Sequence, residues 1–222
     1  KFYVGHSLGE YSALVCSGSL KFKDALYLLH ERGKAMQEAV PLGKGAMLAI
    51  LGSEIEEIEN LLSAPKKEGV CEIANDNANG QTIVSGEIKP INLLQDILKK
   101  KKKKAILLPV SAPFHCSLMK SAAEKMKDKI LPINFNTLNI DIVSNVTAQP
   151  ENNVEKIKNL LVEQIYTRVR WRESILNMSK NDINEFVEIG PGKVLSGLSK
   201  RIIKGVKASS INTIEDIENN LK

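Results

Sequence analysis

The sequence predicts an α/β fold with a mostly parallel sheet and an inserted βαββαβ subdomain. Three observations lead there. Strand-like runs alternate with helical stripes over most of the chain, the pattern of layered α/β proteins. A Gly5-His6-Ser7-Leu8-Gly9 turn joins a first strand to a first helix. Residues 45–110 read in the order β-α-β-β-α-β, the ferredoxin-like arrangement.

The elements follow in chain order. Residues 2–4 are a β-prone run, and the helix-like stretch after Gly9 ends at the Ser17-Gly18 turn. Lys1-Phe2-Tyr3-Val4 reads as the end of a strand without a start methionine, so an N-terminal part is expected to be missing. From Phe22, apolar residues at 22, 25, 26, 29, 36 and 40, with Gly33, form a helical stripe. Arg32 falls at one edge of that stripe, between core and solvent. His30 falls at the other and reads as a packed helix histidine. Pro41-Leu42-Gly43 breaks the pattern, and Gly45–Leu51 reads as a strand. Ser53-Glu54-Ile55-Glu56 is a capping-box signal that opens a helix. Residues 70–75 and 81–85 read as strands around an Asn/Gly turn, 91–103 as a helix and 105–110 as a strand. After Ser111-Ala112-Pro113-Phe114-His115, a helix places Leu118, Met119, Ala122, Met126 and Ile130 on one face. A strand at 140–144, helices at 154–166 and 171–179, and a strand at 186–189 come next. Gly190-Pro191-Gly192 turns the chain into a helix, and a short strand and a last helix close it.

With 222 residues, 43% hydrophobic and 26% charged, the chain has the composition of an ordinary globular protein. Its apolar runs are far shorter than the roughly 20 residues of a membrane span. The net charge of +5 rests on six consecutive lysines at 99–104, without which it would be −1. No aromatic residues interleave with them, so a solvated helix end is preferred to a nucleic-acid surface. Three cysteines without C-x-x-C spacing argue against a disulfide framework or zinc site and for a reducing, cytoplasmic setting.

Gly5-His6-Ser7-Leu8-Gly9 matches G-x-S-x-G, the nucleophile elbow. Glycines on either side suit a tight, crowded strand-to-helix turn. The turn lifts the Ser7 hydroxyl clear of the sheet and sets the Leu8 N–H at a helix N-terminus, where it faces an oxyanion. The serine needs a base, and His6, His30 and His115 are the candidates. His6 adjoins Ser7 in the turn and reads as structural. His115 follows a proline at a helix start, where the dipole favours the neutral imidazole a base requires. A histidine that only caps a helix is the alternative. Arg32 is either a surface cation or a clamp for a buried carboxylate. Cys116 reads as a small buried thiol.

The run from Gly5 to Leu14, GHSLGEYSAL, resembles the nucleophile motif of the malonyl-CoA:acyl carrier protein transacylases of bacterial fatty acid synthesis. Four further blocks agree in order: Arg32-Gly33-Lys34 with Met36-Gln37-Glu38-Ala39; Asn77 with Gln81 to Gly86; Pro113-Phe114-His115-Cys116 with Leu118-Met119; and Glu188-Ile189-Gly190-Pro191-Gly192-Lys193-Val194-Leu195. The resemblance implies an α/β-hydrolase-like acyltransferase core, residues 1–43 and 110–222, with a ferredoxin-like insert at 44–109. It implies Ser7 as the acyl-accepting nucleophile and His115 as base and then acid. The Gln164 backbone carbonyl would orient the histidine, Arg32 would bind the malonyl carboxylate, and Leu8 would contribute to the oxyanion hole. His6, Asn77 and Phe114 would stand about the substrate pocket, with Phe114 and Leu8 favouring malonyl over methylmalonyl. No metal or other cofactor is implied. The expected partners are a coenzyme A thioester and an acidic acyl carrier protein, for which the lysine run is a second candidate contact; a monomer is expected, with no nucleic acid and no membrane. In the family a strand and a Gly-Gln loop, which supplies the other oxyanion N–H, precede the first matched residue; they are not in this sequence. A serine esterase or thioesterase, a polyketide synthase acyltransferase domain and an inactive carrier-binding module are the other readings. The first of these leaves Arg32 without a task.

Overall fold

The protein, as a computed structural model, is described over residues 1–220. In chain order its elements are β1 (Tyr3–Val4), α1 (Gly9–Cys16), α2 (Phe22–Glu38), β2 (Gly45–Leu51), α3 (Ile55–Leu61), β3 (Cys71–Ala78), β4 (Gln81–Glu87), α4 (Ile88–Lys100) and β5 (Lys104–Leu107). They continue with α5 (Lys120–Ile130), β6 (Ile142–Val143), β7 (Pro150–Glu151), α6 (Val154–Gln164), α7 (Trp171–Lys180), β8 (Glu185–Ile189), α8 (Val194–Ile202), β9 (Lys207–Ile211) and α9 (Ile214–Asn220). Single 3-10 turns lie at Pro65–Glu68 and Ser117–Met119.

The strands of the described residues make an α/β fold with mixed sheets. The first has the order β1-β6-β7, with β1 parallel and β7 antiparallel to β6. The second, β3-β4-β2-β5, is antiparallel throughout. The third pairs β8 with β9 in parallel. Outside residues 44–109 two of the three described strand pairs are parallel, as expected, and β7 adds an antiparallel one. Two of the antiparallel pairs are joined by tight turns, while β2 pairs with β4 and β5 across longer connections. Asn79-Gly80 links β3 to β4 with Gly80 at φ 69°. A turn through Ala148, at φ 56°, returns β7 beside β6. β7 has only two residues, too few to leave a periodic signal.

The hydrophobic pattern explains the packing. In β2 successive residues alternate faces. Leu48 and Ile50 join Ile58 of α3, Val84 of β4 and Ile91, Leu94 and Leu98 of α4 in one core. Met47 and Ala49 face the other way, with Ala74, Ile83 and Phe114. A separate core unites Tyr11 and Leu14 of α1, Leu28 and Met36 of α2, Met126 and Ile130 of α5 and Leu161 of α6. A further cluster joins Val143, Val169, Trp171, Ile175 and Leu198.

Several boundaries move. α4 starts at Ile88, because Pro90 sits in its first turn, where its missing N–H has no helical partner to lose. It ends at Lys100, so the lysine run spans a helix end, a turn with Lys102 at φ 55° and the start of β5. Lys103 pairs with Glu57 at 3.0 Å. β3 runs on to Ala78, past the expected end at 75. His30, read as packed, is exposed.

Candidate active site

β1 ends against Gly5, and the chain turns sharply into α1. A side chain on Gly5 would overlap the carbonyl of Gly9, so only glycine fits there. Gly9 is different: a Cβ there meets open space, which corrects the expectation that crowding demands both glycines. Ser7 at the apex has φ 53°, the left-handed region that L side chains rarely adopt. Leu8 follows as the N-cap of α1, with its side chain exposed.

Asn145, just after β6, fixes this turn. Its Oδ1 accepts the Ser7 N–H at 2.7 Å, and its Nδ2 donates to the Gly5 carbonyl at 2.7 Å. Its own backbone carbonyl accepts from Arg170 at 3.0 Å. Asn145 was not anticipated, since an asparagine after a strand looks like any turn residue.

His115 comes from the loop before the Ser117–Met119 turn and also has positive φ, 57°. The Ser7 hydroxyl donates to His115 Nε2 at 2.8 Å. His115 Nδ1 donates to the Gln164 backbone carbonyl at 2.9 Å, which fixes the tautomer. Burial, with the Arg32 charge behind it, pushes the imidazole down to about 3. The neutral form expected at this position is thus upheld by burial and Arg32. The helix-end dipole is not its cause, since α5 begins only at Lys120.

Arg32 does not border solvent as its place on the stripe suggested. It is 7% exposed. One nitrogen, Nη2, donates to Ser7 Oγ at 2.9 Å and to Gln164 Oε1 at 3.0 Å. Its Nε is buried without a partner, and its Cζ lies 5.9 Å from the Tyr11 ring centre. A buried guanidinium with a spare donor, held against a serine hydroxyl, is suited to a planar anion such as a carboxylate.

The remaining candidates cluster around this centre. His6 Nε2 donates to Asn77 Oδ1 at 2.8 Å, and its ring lies 5.5 Å from that of Trp171. Burial lowers the His6 pKa. Phe114 packs between the α1–α2–α5–α6 core and the outer face of β2 and β4. Cys116 is the buried thiol expected, donating to the Pro113 carbonyl at 3.1 Å.

The sequence agrees with this geometry. The model of the acyl transferase domain family matches residues 1–218. The chain belongs to the acyl transferase family. Within it, the chain is 44% identical over 219 residues to the malonyl CoA-acyl carrier protein transacylase of Bacillus subtilis, covering 98% of this chain and 69% of that protein. An acyl-carrier-protein-S-malonyltransferase from Bartonella henselae is 45% identical with a TM-score of 0.96, over 100% of this chain and 71% of the other. A malonyl-transacylase solved in complex with a type II polyketide acyl-carrier protein is 39% identical with a TM-score of 0.95, over 99% and 72%. This member of the acyl transferase family has no described helix long and apolar enough to cross a membrane.

Proposed function

We infer that this acyltransferase moves a malonyl group from coenzyme A to the phosphopantetheine thiol of an acyl carrier protein, through a malonyl-serine intermediate, in fatty acid synthesis. One observation carries the reading: a buried arginine and a buried neutral histidine share a single serine hydroxyl.

In the first half-reaction Ser7 Oγ attacks the thioester carbonyl while His115 Nε2 takes its proton. The Gln164 carbonyl on Nδ1 steadies the imidazolium that forms. The N–H of Leu8, at the start of α1, faces the developing oxyanion. As the carbon–sulfur bond breaks, His115 returns the proton to the coenzyme A sulfur. In the second half-reaction the carrier thiol gives its proton to His115 and attacks the ester, and Ser7 recovers its proton. Arg32 takes the malonyl carboxylate, its guanidinium held beside the nucleophile by the Nη2 bonds to Ser7 and Gln164. The buried positive charge disfavours acyl groups that bring no negative one, which an esterase would have no reason to retain. His6 and Asn77 wall the pocket, and Phe114 fills the space beside the acyl α-carbon. A methyl branch there would cost about 1–3 kcal/mol. These steps call on no metal or organic cofactor.

We read residues 44–109 as a ferredoxin-like insert in an α/β-hydrolase-like core of 1–43 and 110–222. The antiparallel β3-β4-β2-β5 order, with α3 and α4 on one face, supports that reading. The protein is proposed to act as a cytoplasmic monomer that meets its carrier only transiently.

The test is the intact mass of the chain after brief incubation with malonyl-CoA. One malonyl group is expected on the chain and none on Ser7→Ala. No adduct on a chain that circular dichroism shows to be folded would overturn the reading.

A further inference from the structure

Glu10 lies in the GHSLGE run yet takes no part in the steps above. It sits in the first turn of α1 and is 1% exposed. A buried carboxylate is costly unless its oxygens are well occupied. Its Oε2 accepts from Gln164 Nε2 at 2.7 Å and from the Asn145 N–H at 3.2 Å.

The Gln164 amide is held at both ends. Its Nε2 meets Glu10 and also the Ser7 carbonyl at 3.1 Å, while its Oε1 accepts from Arg32 Nη2. A primary amide has one donor end and one acceptor end. With a carboxylate on one side and a guanidinium on the other, a single orientation satisfies both. The flipped amide would set N–H against N–H and oxygen against oxygen. Glu10 thus fixes the direction in which Gln164 presents its oxygen to Arg32. Its charge also acts directly on the guanidinium, each favouring the charged form of the other.

We propose that Glu10 is a positioning residue that sets the place of Arg32 through the Gln164 amide, and thereby the preference for acyl groups bearing a carboxylate. The specificity part rests on Arg32 binding the malonyl carboxylate; the positioning part does not.

Two variants test it. Glu10→Met removes charge and acceptor together, whereas Glu10→Gln keeps the size and an acceptor oxygen. Ser7 acylation is timed by intact mass with malonyl-CoA and acetyl-CoA, and the Arg32 guanidinium is followed by 15N NMR. The malonyl-to-acetyl rate ratio is expected to fall at least tenfold in Glu10→Met and about threefold in Glu10→Gln. The Arg32 Nε–H signal should shift or broaden in both. In an Arg32→Ala background, adding Glu10→Gln should move the ratio no further. Equal slowing with both acyl groups would assign Glu10 to fold maintenance alone and overturn the specificity part. An unmoved Arg32 signal overturns the positioning part. Should Glu10→Met fail to fold, Glu10→Gln carries the same two outcomes. Should the parent chain take up no malonyl, the malonyl reading falls, and the Arg32 signal still decides whether Glu10 positions it.

Discussion

Ser7 and His115 both hold backbone conformations costing about 1–3 kcal/mol each, and neither is a glycine. The surrounding bonds to Asn145, Arg32 and Gln164 hold them there. Burial adds a pH-dependent cost at His115. Its pKa falls from 6.5 unfolded to about 3 folded, so the unfolded chain takes up a proton that the folded one refuses. Its contribution to stability is present above pH 6.5 and lost as the pH falls toward 3. Glu10 has the opposite sign. Raised from 4.5 to about 7, it contributes stability below pH 4.5 that is lost as the pH rises through 7. Asparagine tolerates the left-handed backbone of position 115. His115→Asn should therefore lose less stability between pH 6.5 and pH 4 than the parent, by roughly 1–3 kcal/mol, read from urea unfolding at the two values. At this scale the G-x-S-x-G pattern and the helix stripe named Ser7 and Arg32 as candidates. The burial of Arg32 was hidden, because Phe22 and Leu26 drew the apolar stripe to a face that is exposed, whereas α2 buries Ala25, Leu28, Ala35 and Met36 beside Arg32. Glu10 and Asn145 gave no signal, since the bonds that tie Glu10 to Asn145 and Gln164, and Asn145 to Gly5 and Ser7, each span more than a hundred residues.

Among the elements, the segment carrying His115 depends on a neighbour from a different sheet. A side chain on Gly45, the first residue of β2, would overlap the Pro113 ring. Proline cannot swing aside as a flexible side chain does. Gly45→Ala is thus expected to displace the 111–115 segment and lower the Ser7 acylation rate tenfold or more. Its urea midpoint should move only slightly, because β2 keeps its pairs with β4 and β5. Single-turnover acylation beside urea unfolding separates the two effects. Long elements with clear stripes were legible in the sequence; β7 and the 3-10 turn before α5 were not. A two-residue strand and a three-residue turn are set by tertiary pairing, which local pattern does not encode.

At the scale of the molecule, the β2–β5 unit has its own core, and one of its joints to the rest runs through β3. There the pairing with β4 slips at Ile73/Asn75 and Asp76/Ala78. In those slips β3 pairs instead with Val169, through the Asp76 and Val169 N–H groups at 3.0 and 2.8 Å. Arg172 of α7 seals the joint, its Nε reaching Asp76 Oδ1 at 2.9 Å and Oδ2 at 3.1 Å. Asp76 is 1% exposed, so Arg172→Leu leaves a buried carboxylate unpaired. A loss of about 3 kcal/mol at pH 7 is expected. Burial holds the Asp76 pKa up, so the loss should shrink on acidification as the carboxylate takes a proton; urea unfolding across pH reads both. The βαββαβ order of this unit was legible from alternation and turn residues. The joint was not, because Val169 lies far along the chain from Ala74 and Asp76. β3 behaves mechanically as a beam held at both ends. One end carries Asn77, bonded to His6 beside the nucleophile. The other carries Glu72, which accepts from the Ser117 N–H at 2.8 Å and the Ser117 hydroxyl at 2.7 Å, just past His115. A beam held at both ends moves least at its supports, so jostling of the outer unit reaches the serine and the histidine damped.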